Sequence, residues 1–384
     1  MANLPSFVNL TDLVSRKVGG EVLFATDDWF AVAENLLKED EPVWWEGEFT
    51  DFGKKMDGWE TRRKRIPGHD WCIIKLGIPG VIRGVDANTR HFTGNYTPRL
   101  SIQAACLTPD VEFPDRSSAM GSKATEEQFE EMKKLQTESW EEIIPMKPLR
   151  SGTEETCNNY FSIDSEKRWT HIRLNMFPDG GIGRLRVYGD AKPNWSEIDQ
   201  NSLIDLVAVE NGGVCVGFSD AKFCFPKNLI TKERSVTMAD GWETARQRDR
   251  PAILEMGSDG VLEFTSRDWA VFRLGTKGII ERIEVDTNHF KGNYPDSCTV
   301  EGCVLTEQEE KYGQTARPDR PHGDFDSFDW RAILPPAKLS AHKRHHYRKD
   351  ALTNIGPVTH IRLTMKPDGG ISRLRLWGRM SSRI

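Results

Sequence analysis

The chain has 384 residues, a formal net charge of −6 and a pI near 5.9. That length is too great for one ordinary core, and each half could bury most of its apolar surface unaided. The charge balance lacks the clustered basic surface that nucleic acid requires, no apolar run is long enough to span a membrane as a helix, and Met1 to Asp12 lacks the pattern of a secretory signal; local basic pockets for a small anion remain open.

Read in chain order, the elements occur twice. Asp12-Leu13-Val14 with Gly19-Gly20 returns as Asp205-Leu206-Val207 with Gly212-Gly213. Asn35-Leu36-Leu37 returns as Asn228-Leu229-Ile230, and Asp57-Gly58-Trp59-Glu60-Thr61 as Asp240-Gly241-Trp242-Glu243-Thr244. Short apolar strands are predicted over 71–76 and 81–85, and again over 269–274 and 279–285, with breaks at Gly77 and Gly275. His91-Phe92 with Gly94-Asn95-Tyr96 returns as His289-Phe290 with Gly292-Asn293-Tyr294. Thr125 with Gln128 reads as a capping box opening a helix whose apolar stripe runs Phe129, Met132, Leu135, Trp140, Ile143; a shortened counterpart lies around 307–312. Thr170 to Leu174 returns as Thr359 to Leu363, and Pro178-Asp179-Gly180-Gly181-Ile182 as Pro367-Asp368-Gly369-Gly370-Ile371. Alternation on either side of the Pro-Asp-Gly-Gly turn predicts a hairpin with one buried and one polar face. Short strands punctuated by Gly, Pro, Asn and Asp indicate an all-β protein, two tandem β-sandwiches with minor helices. The turn-forming Lys192-Pro193-Asn194 sets the expected domains at 1–194 and 195–384.

Seven scattered cysteines, with no C-x-x-C pair, predict reduced and mostly buried thiols in an intracellular, cytoplasmic protein. The tail Ser382-Arg383-Ile384 has the outline of a peroxisomal address with an unsuitable last residue.

The densest polar run, Asp57 to Trp71, packs three carboxylates, four cations and a histidine into fifteen positions. Read plainly, it is a solvated turn with surface ion pairs of little individual worth. Read functionally, Arg62, Arg63 and Arg65 are forks able to grip a carboxylate in two-point fashion. In the second copy Arg62 becomes Ala245, Arg63 is kept as Arg246, and His69 falls opposite Arg267. The run from His91 to Tyr96 is either a structural turn or part of a polar loop cluster at one end of a sandwich. His171 and His360 are expected as hydrogen-bonded structural histidines, and His345-His346 as part of a solvated basic loop. Zinc-site spacings, phosphate-binding glycine loops and the serine-hydrolase elbow are all missing, so a metal or other cofactor stays undefined, with a divalent metal held by distant loops still open.

Together these residues resemble the allantoicase family across nearly the whole chain. The stretches carrying the resemblance are Met56 to Trp71 (MDGWETRRKRIPGHDW), Phe24 to Asp28 with Glu34 to Leu36, and Asp286 to Pro295. The resemblance implies two jelly-roll-like sandwiches related to galactose-binding domains, a homo-oligomer, and hydrolysis of allantoate to ureidoglycolate and urea in purine breakdown. Allantoate carries a carboxylate and two ureido arms on one carbon. Arg62, Arg63, Arg65 and Arg246 suit the carboxylate, and Asn95, Tyr96, Asn293 and Tyr294 suit the ureido groups. Losing urea needs a proton for the leaving nitrogen and an activated water, for which Glu60, His91, Glu243 and His289 are the candidates, chosen on chemistry and recurrence. The rival readings are a non-catalytic small-ligand or carbohydrate-binding sandwich, with Trp44 and Trp45 as sugar platforms, and a relative that has lost activity.

Overall fold

A computed structural model describes residues 4–381 except 109, 110, 200, 316 and 318. The tail tripeptide at 382–384 therefore lies outside the described residues. The chain divides into two compact units, Met1–Pro193 and Asn194–Ile384.

The first unit is organised by one long strand, Asp70–Asn88. Its first part pairs with Trp169–Phe177 and Glu21–Ala25, and its second part with Arg184–Ala191 and Tyr160–Ser162. Trp169–Phe177 continues to Arg99–Ala105 and on to Glu141–Pro148, while Arg184–Ala191 also carries Thr11–Asp12. Every named pairing is antiparallel. Two layers result that share the long strand, which changes partners near Gly80. A Cβ on Gly80 would lie 2.3 Å from the Asp190 carbonyl oxygen, so the backbones approach too closely for any side chain. The second unit repeats the plan around Asp268–Asp286, with Val214–Phe218, Val358–Lys366, Arg373–Met380 and Arg344–Tyr347 as its partners.

The recurring motifs acquire reasons. Asp12 and Asp205 accept the backbone N–H groups of Val187 and Leu376, pinning the opening segment to the closing strand. Leu13, Val14, Leu206 and Val207 beside them are fully buried. Asn35 and Asn228 each donate to a glycine carbonyl, Gly58 and Gly241, at 2.9 Å. On Trp169–Phe177 the period of two puts Ile172, Leu174 and Met176 on one face and His171, Arg173 and Asn175 on the other. Both faces are buried, because the helix Glu126–Lys134 and the turn after it cover the polar one.

Several expectations change in detail. The strands expected over 71–76 and 81–85 are one strand bent through Gly77 and Gly80, and the same holds for 268–286. The capping box at Thr125 forms as expected, but the helix ends at Lys134; Gln136 turns left-handed, and Trp140 and Ile143 lie beyond it, Ile143 in a strand. The Pro-Asp-Gly-Gly segment does not close a hairpin. Trp169–Phe177 and Arg184–Ala191 pair with different parts of the long strand, because Gly181-Ile182 is taken up by Trp59-Glu60. His345 and His346 lie in a strand, not a loop: His345 is held between Ser340 N and the Val285 carbonyl, and His346 faces Glu284 at 3.3 Å. His171 behaves as expected, bonded to Thr170 Oγ1 at 2.8 Å, and burial pushes its pKa down to about 4.

Candidate functional site

At one end of the first unit, four segments far apart in sequence close into a small cap. Ala31 bridges Glu60, Glu60 bridges Gly181, and Tyr96 bridges Gly181. Gly181 donates to the Asn95 carbonyl at 2.8 Å, and Thr61 donates to the Gly180 carbonyl at 3.1 Å. The glycine pair is required here: Gly180 has φ +128°, and a Cβ on Gly181 would lie 2.1 Å from the Phe92 ring. Trp59 anchors the cap from below, fully buried, with Nε1 donating to the Asp27 carbonyl at 2.8 Å.

This geometry brings the Glu60 carboxylate against the Asn95 side chain, whose Nδ2 donates to Glu60 Oε1 at 2.6 Å. Burial raises the Glu60 pKa above the usual glutamate value, and the Asn95 bond offsets only part of that rise. A carboxyl raised in this way holds a proton at higher pH than a solvated one, which suits proton transfer. The second unit rebuilds the same cap: Glu243 bridges Cys224 and Gly370, and Asn293 Nδ2 donates to Glu243 Oε1 at 2.5 Å. Tyr96 and Tyr294 stand beside these pairs, half-buried.

The arginines separate into two kinds. Arg62 is committed: its Nε and Nη2 grip Asp27 at 2.8 and 2.7 Å, and its guanidinium stacks on Trp29 at 4.2 Å. Arg63 and Arg65 are exposed on the loop leaving the cap, as is Arg246 in the second unit. Lys64 pairs with the buried Asp70 at 2.7 Å while its backbone N–H donates to Asp179, so the loop is clamped at its centre and offers charge on either side.

The two histidines are placed differently from the glutamates. His91 and His289 adopt left-handed backbone, φ +71° and +69°. Their Nε2 atoms meet the Pro42 and Ser235 carbonyls at 2.9 and 3.0 Å, where only a protonated ring nitrogen makes a hydrogen bond. Each tethers the segment that precedes its cap. Trp44, 40% exposed, lies 5.6 Å from His91 with the Lys54 ammonium over its ring, and Lys55 sits likewise over Trp45.

Sequence reasoning missed Asp27, Asp70 and Asp179, the carboxylates that organise the cap and its loop. The available signal was their recurrence as Asp220, Asp268 and Asp368, which accept from Ala245 N, Ser219 Oγ and Gln247 N. Among the described residues, no group of three or more His, Cys, Asp or Glu side chains is arranged to hold a metal ion.

A family profile described as the allantoicase repeat matches residues 11–192 and again 204–381. An allantoicase from Dictyostelium discoideum is 41% identical over 375 residues, 97% of this chain and 88% of that protein. A probable allantoicase from Pseudomonas aeruginosa is 40% identical over 372 residues, 97% of this chain and 96% of that protein. The crystal structure of an allantoicase from Saccharomyces cerevisiae superposes with a TM-score of 0.66 at 32% identity, covering 96% of this chain and 92% of the other.

Proposed function

The chain belongs to the allantoicase family, and we propose that it hydrolyses allantoate to ureidoglycolate and urea, in purine breakdown, at the cap built around Glu60 and Asn95. The observation that carries the site is the Glu60–Asn95 hydrogen bond on a backbone ladder of four distant segments, made again by Glu243 and Asn293. In this reaction a water oxygen replaces a ureido nitrogen on the central carbon, and the departing nitrogen takes a proton. Glu60, whose pKa burial raises, gives its proton to the departing nitrogen and takes back the proton that the water loses as its oxygen bonds to the carbon; the Asn95 amide and Tyr96 hydroxyl receive the ureido arms, and Arg63 and Arg65 meet the carboxylate. His91 and His289 hold the cap in place through Pro42 and Ser235.

The test is urea and ureidoglycolate release by wild type and Glu60→Gln, each with and without chelator and added divalent metal. Loss of at least about 100-fold in kcat for Glu60→Gln is expected, and a value within a few-fold of wild type would remove Glu60 from the chemistry. Activity abolished by chelator and restored by metal would add a metal to the mechanism.

Two further assignments rest on the same chain. A homo-oligomer is supported by exposed Phe223, Phe225, Val236 and Met238, on segments that meet at Cys224; light scattering on the purified protein reads its mass. An intracellular location is supported by seven free cysteines, with Cys106 exposed; fractionation of the source cells tests it.

A further inference from the structure

The two units place an arginine at the same register on the covered sheet face. Arg173 lies opposite Gln103, and Arg362 lies opposite Glu301. Both side chains are 7% exposed, and both stack on an indole: Arg173 on Trp71 at 3.9 Å, Arg362 on Trp330 at 4.9 Å. Their counter-charges differ. Arg362 has two carboxylates, Glu301 at 2.8 Å and Asp326 at 3.2 Å. Arg173 donates to neutral groups, Asn175 Oδ1 at 2.9 Å and Thr137 Oγ1 at 2.6 Å. Among the described residues, its one carboxylate within ion-pair reach is Glu138 at 3.6 Å, beyond hydrogen-bond distance and with its side chain 65% exposed. A buried guanidinium without a hydrogen-bonded counter-ion is unfavourable, and its five donors are shaped for a carboxylate.

We infer that the first unit carries a separate anion site in which a small carboxylate binds the Arg173 guanidinium, taking the place that Glu301 fills in the second unit. The surroundings fit such a ligand. Gln103 and Trp71 are half-buried and Glu138 is exposed, so one side faces solvent. Beside the guanidinium, Asn175 Nδ2 donates to Ser101 Oγ and Gln103 Oε1, and Gln103 Nε2 donates to the Glu138 carbonyl at 2.6 Å, so an amide or ureido group on the carboxylate would exchange partners with this network. His69 joins it through Asn175 at 3.1 Å, and burial lowers its pKa. Burial likewise draws Arg173 down to about 10, as expected of a cation short of counter-charge. Arg173 lies on the Trp169–Phe177 strand and not on the Ala31, Glu60, Asn95 and Gly181 segments that close the cap. It goes beyond the hydrolytic reading and does not depend on it.

Thermal denaturation in sodium formate, against sodium chloride at equal ionic strength, tests this with wild type, Gln103→Glu and Glu301→Gln. Wild type gains a saturable rise in Tm in formate. Gln103→Glu supplies the partner that Arg362 already has, and the formate-specific rise disappears. Glu301→Gln removes one of the two carboxylates on Arg362 and leaves Asp326 at 3.2 Å, so the rise stays at or above the wild-type value. If Gln103→Glu fails to fold, Arg173→Lys keeps the charge but loses the two-pronged grip, raising the half-saturating formate concentration at least about tenfold. Ureidoglycolate saturating at a concentration ten times lower than formate would identify amide-bearing carboxylates as the ligand; equal values would identify a general carboxylate site. No formate-specific rise in wild type overturns the inference. So does an undiminished rise in Gln103→Glu, or in Arg173→Lys if that variant is used; formate would then be acting elsewhere, such as the cap loop.

Discussion

Asp205 pins the start of the second unit to its last strand, and it does so as a buried acid. It accepts Leu376 N at 2.8 Å and Val207 N at 3.4 Å, with Arg375 only at 3.6 Å. Burial raises its pKa from 3.8 to about 6, the two backbone bonds and Arg375 offsetting only part of the rise. A raised folded-state pKa means that the folded chain binds the proton more tightly than the unfolded chain. The associated stability is therefore full below pH 4 and is lost as pH rises through 6. Two pKa units correspond to about 3 kcal/mol of penalty on the ionised form at pH 8, of which roughly half remains at pH 5. Asp205→Asn keeps an acceptor for Leu376 N and removes the charge, at a cost of about 1 kcal/mol for an amide N–H left without a partner. The variant should thus be more stable than wild type by about 1–2 kcal/mol at pH 8, and this advantage should fall by about 1–2 kcal/mol at pH 5. Urea denaturation followed by tryptophan fluorescence at both pH values measures the two differences. A variant less stable than wild type at pH 8, or a difference independent of pH, would refute the assignment of an ionisation penalty to Asp205.

Other predictions concern the cap. Arg62→Ala copies the alanine at 245; because the Arg62–Asp27 pair is partly solvated, it should cost less than about 1 kcal/mol, and KM for allantoate should change little, whereas Arg63→Ala and Arg65→Ala should raise it. His91→Asn tolerates the left-handed backbone but loses the bond to Pro42; unfolding should show a loss of about 1 kcal/mol, with kcat within a few-fold of wild type. Gly181→Ala drives a methyl into Phe92 and should cost about 1–3 kcal/mol and disable the cap, read as lost urea release in protein that still gives a folded circular-dichroism spectrum. A Gly181→Ala enzyme with full activity would show that the ladder through Gly181 does not position Glu60.

Much of this was legible because the repeat compares the chain with itself. Residues kept in both copies, such as Trp59 and Trp242 or Asn35 and Asn228, proved to hold the cap and its supporting turn. Glu60 and Asn95 were legible as polar residues in recurring runs, but their hydrogen bond was not. It depends on Gly181, more than eighty residues further along, entering between them, and local periodicity carries no signal of such closure. The same gap explains the mistaken hairpin, since alternation specifies strands but not their partners. The Arg62–Asp27 pair was hidden for a related reason: an arginine in a basic run looks free until the fold brings a carboxylate to it. Asp27, Asp70 and Asp179 lie in three separate stretches of the sequence, so local spacing did not link them to one another.

Divergence between the copies bears on which cap does the work. Both keep the carboxylate–amide pair, yet the surroundings differ: Arg62 and Lys64 in the first become Ala245 and Gln247 in the second. Asp27 and Asp70 are thereby neutralised by cations. Asp220 instead receives a backbone N–H from Ala245, and Asp268 an amide from Gln247 and a hydroxyl from Ser219. At the first cap Asp27 and Asp70 are paired with cations, so on the proposed site Arg63 and Arg65 are left to attract a substrate carboxylate. At the second cap Asp368 is paired with Arg250 at 2.6 Å, but Asp220 and Asp268 have only neutral partners, and the field of those two acids opposes an anion. Glu60→Gln should therefore cost far more activity than Glu243→Gln, measured as urea release by each single variant under matched conditions. Equal losses from the two variants would instead require both caps in one catalytic cycle, and a larger loss from Glu243→Gln would reverse the assignment of the anion field.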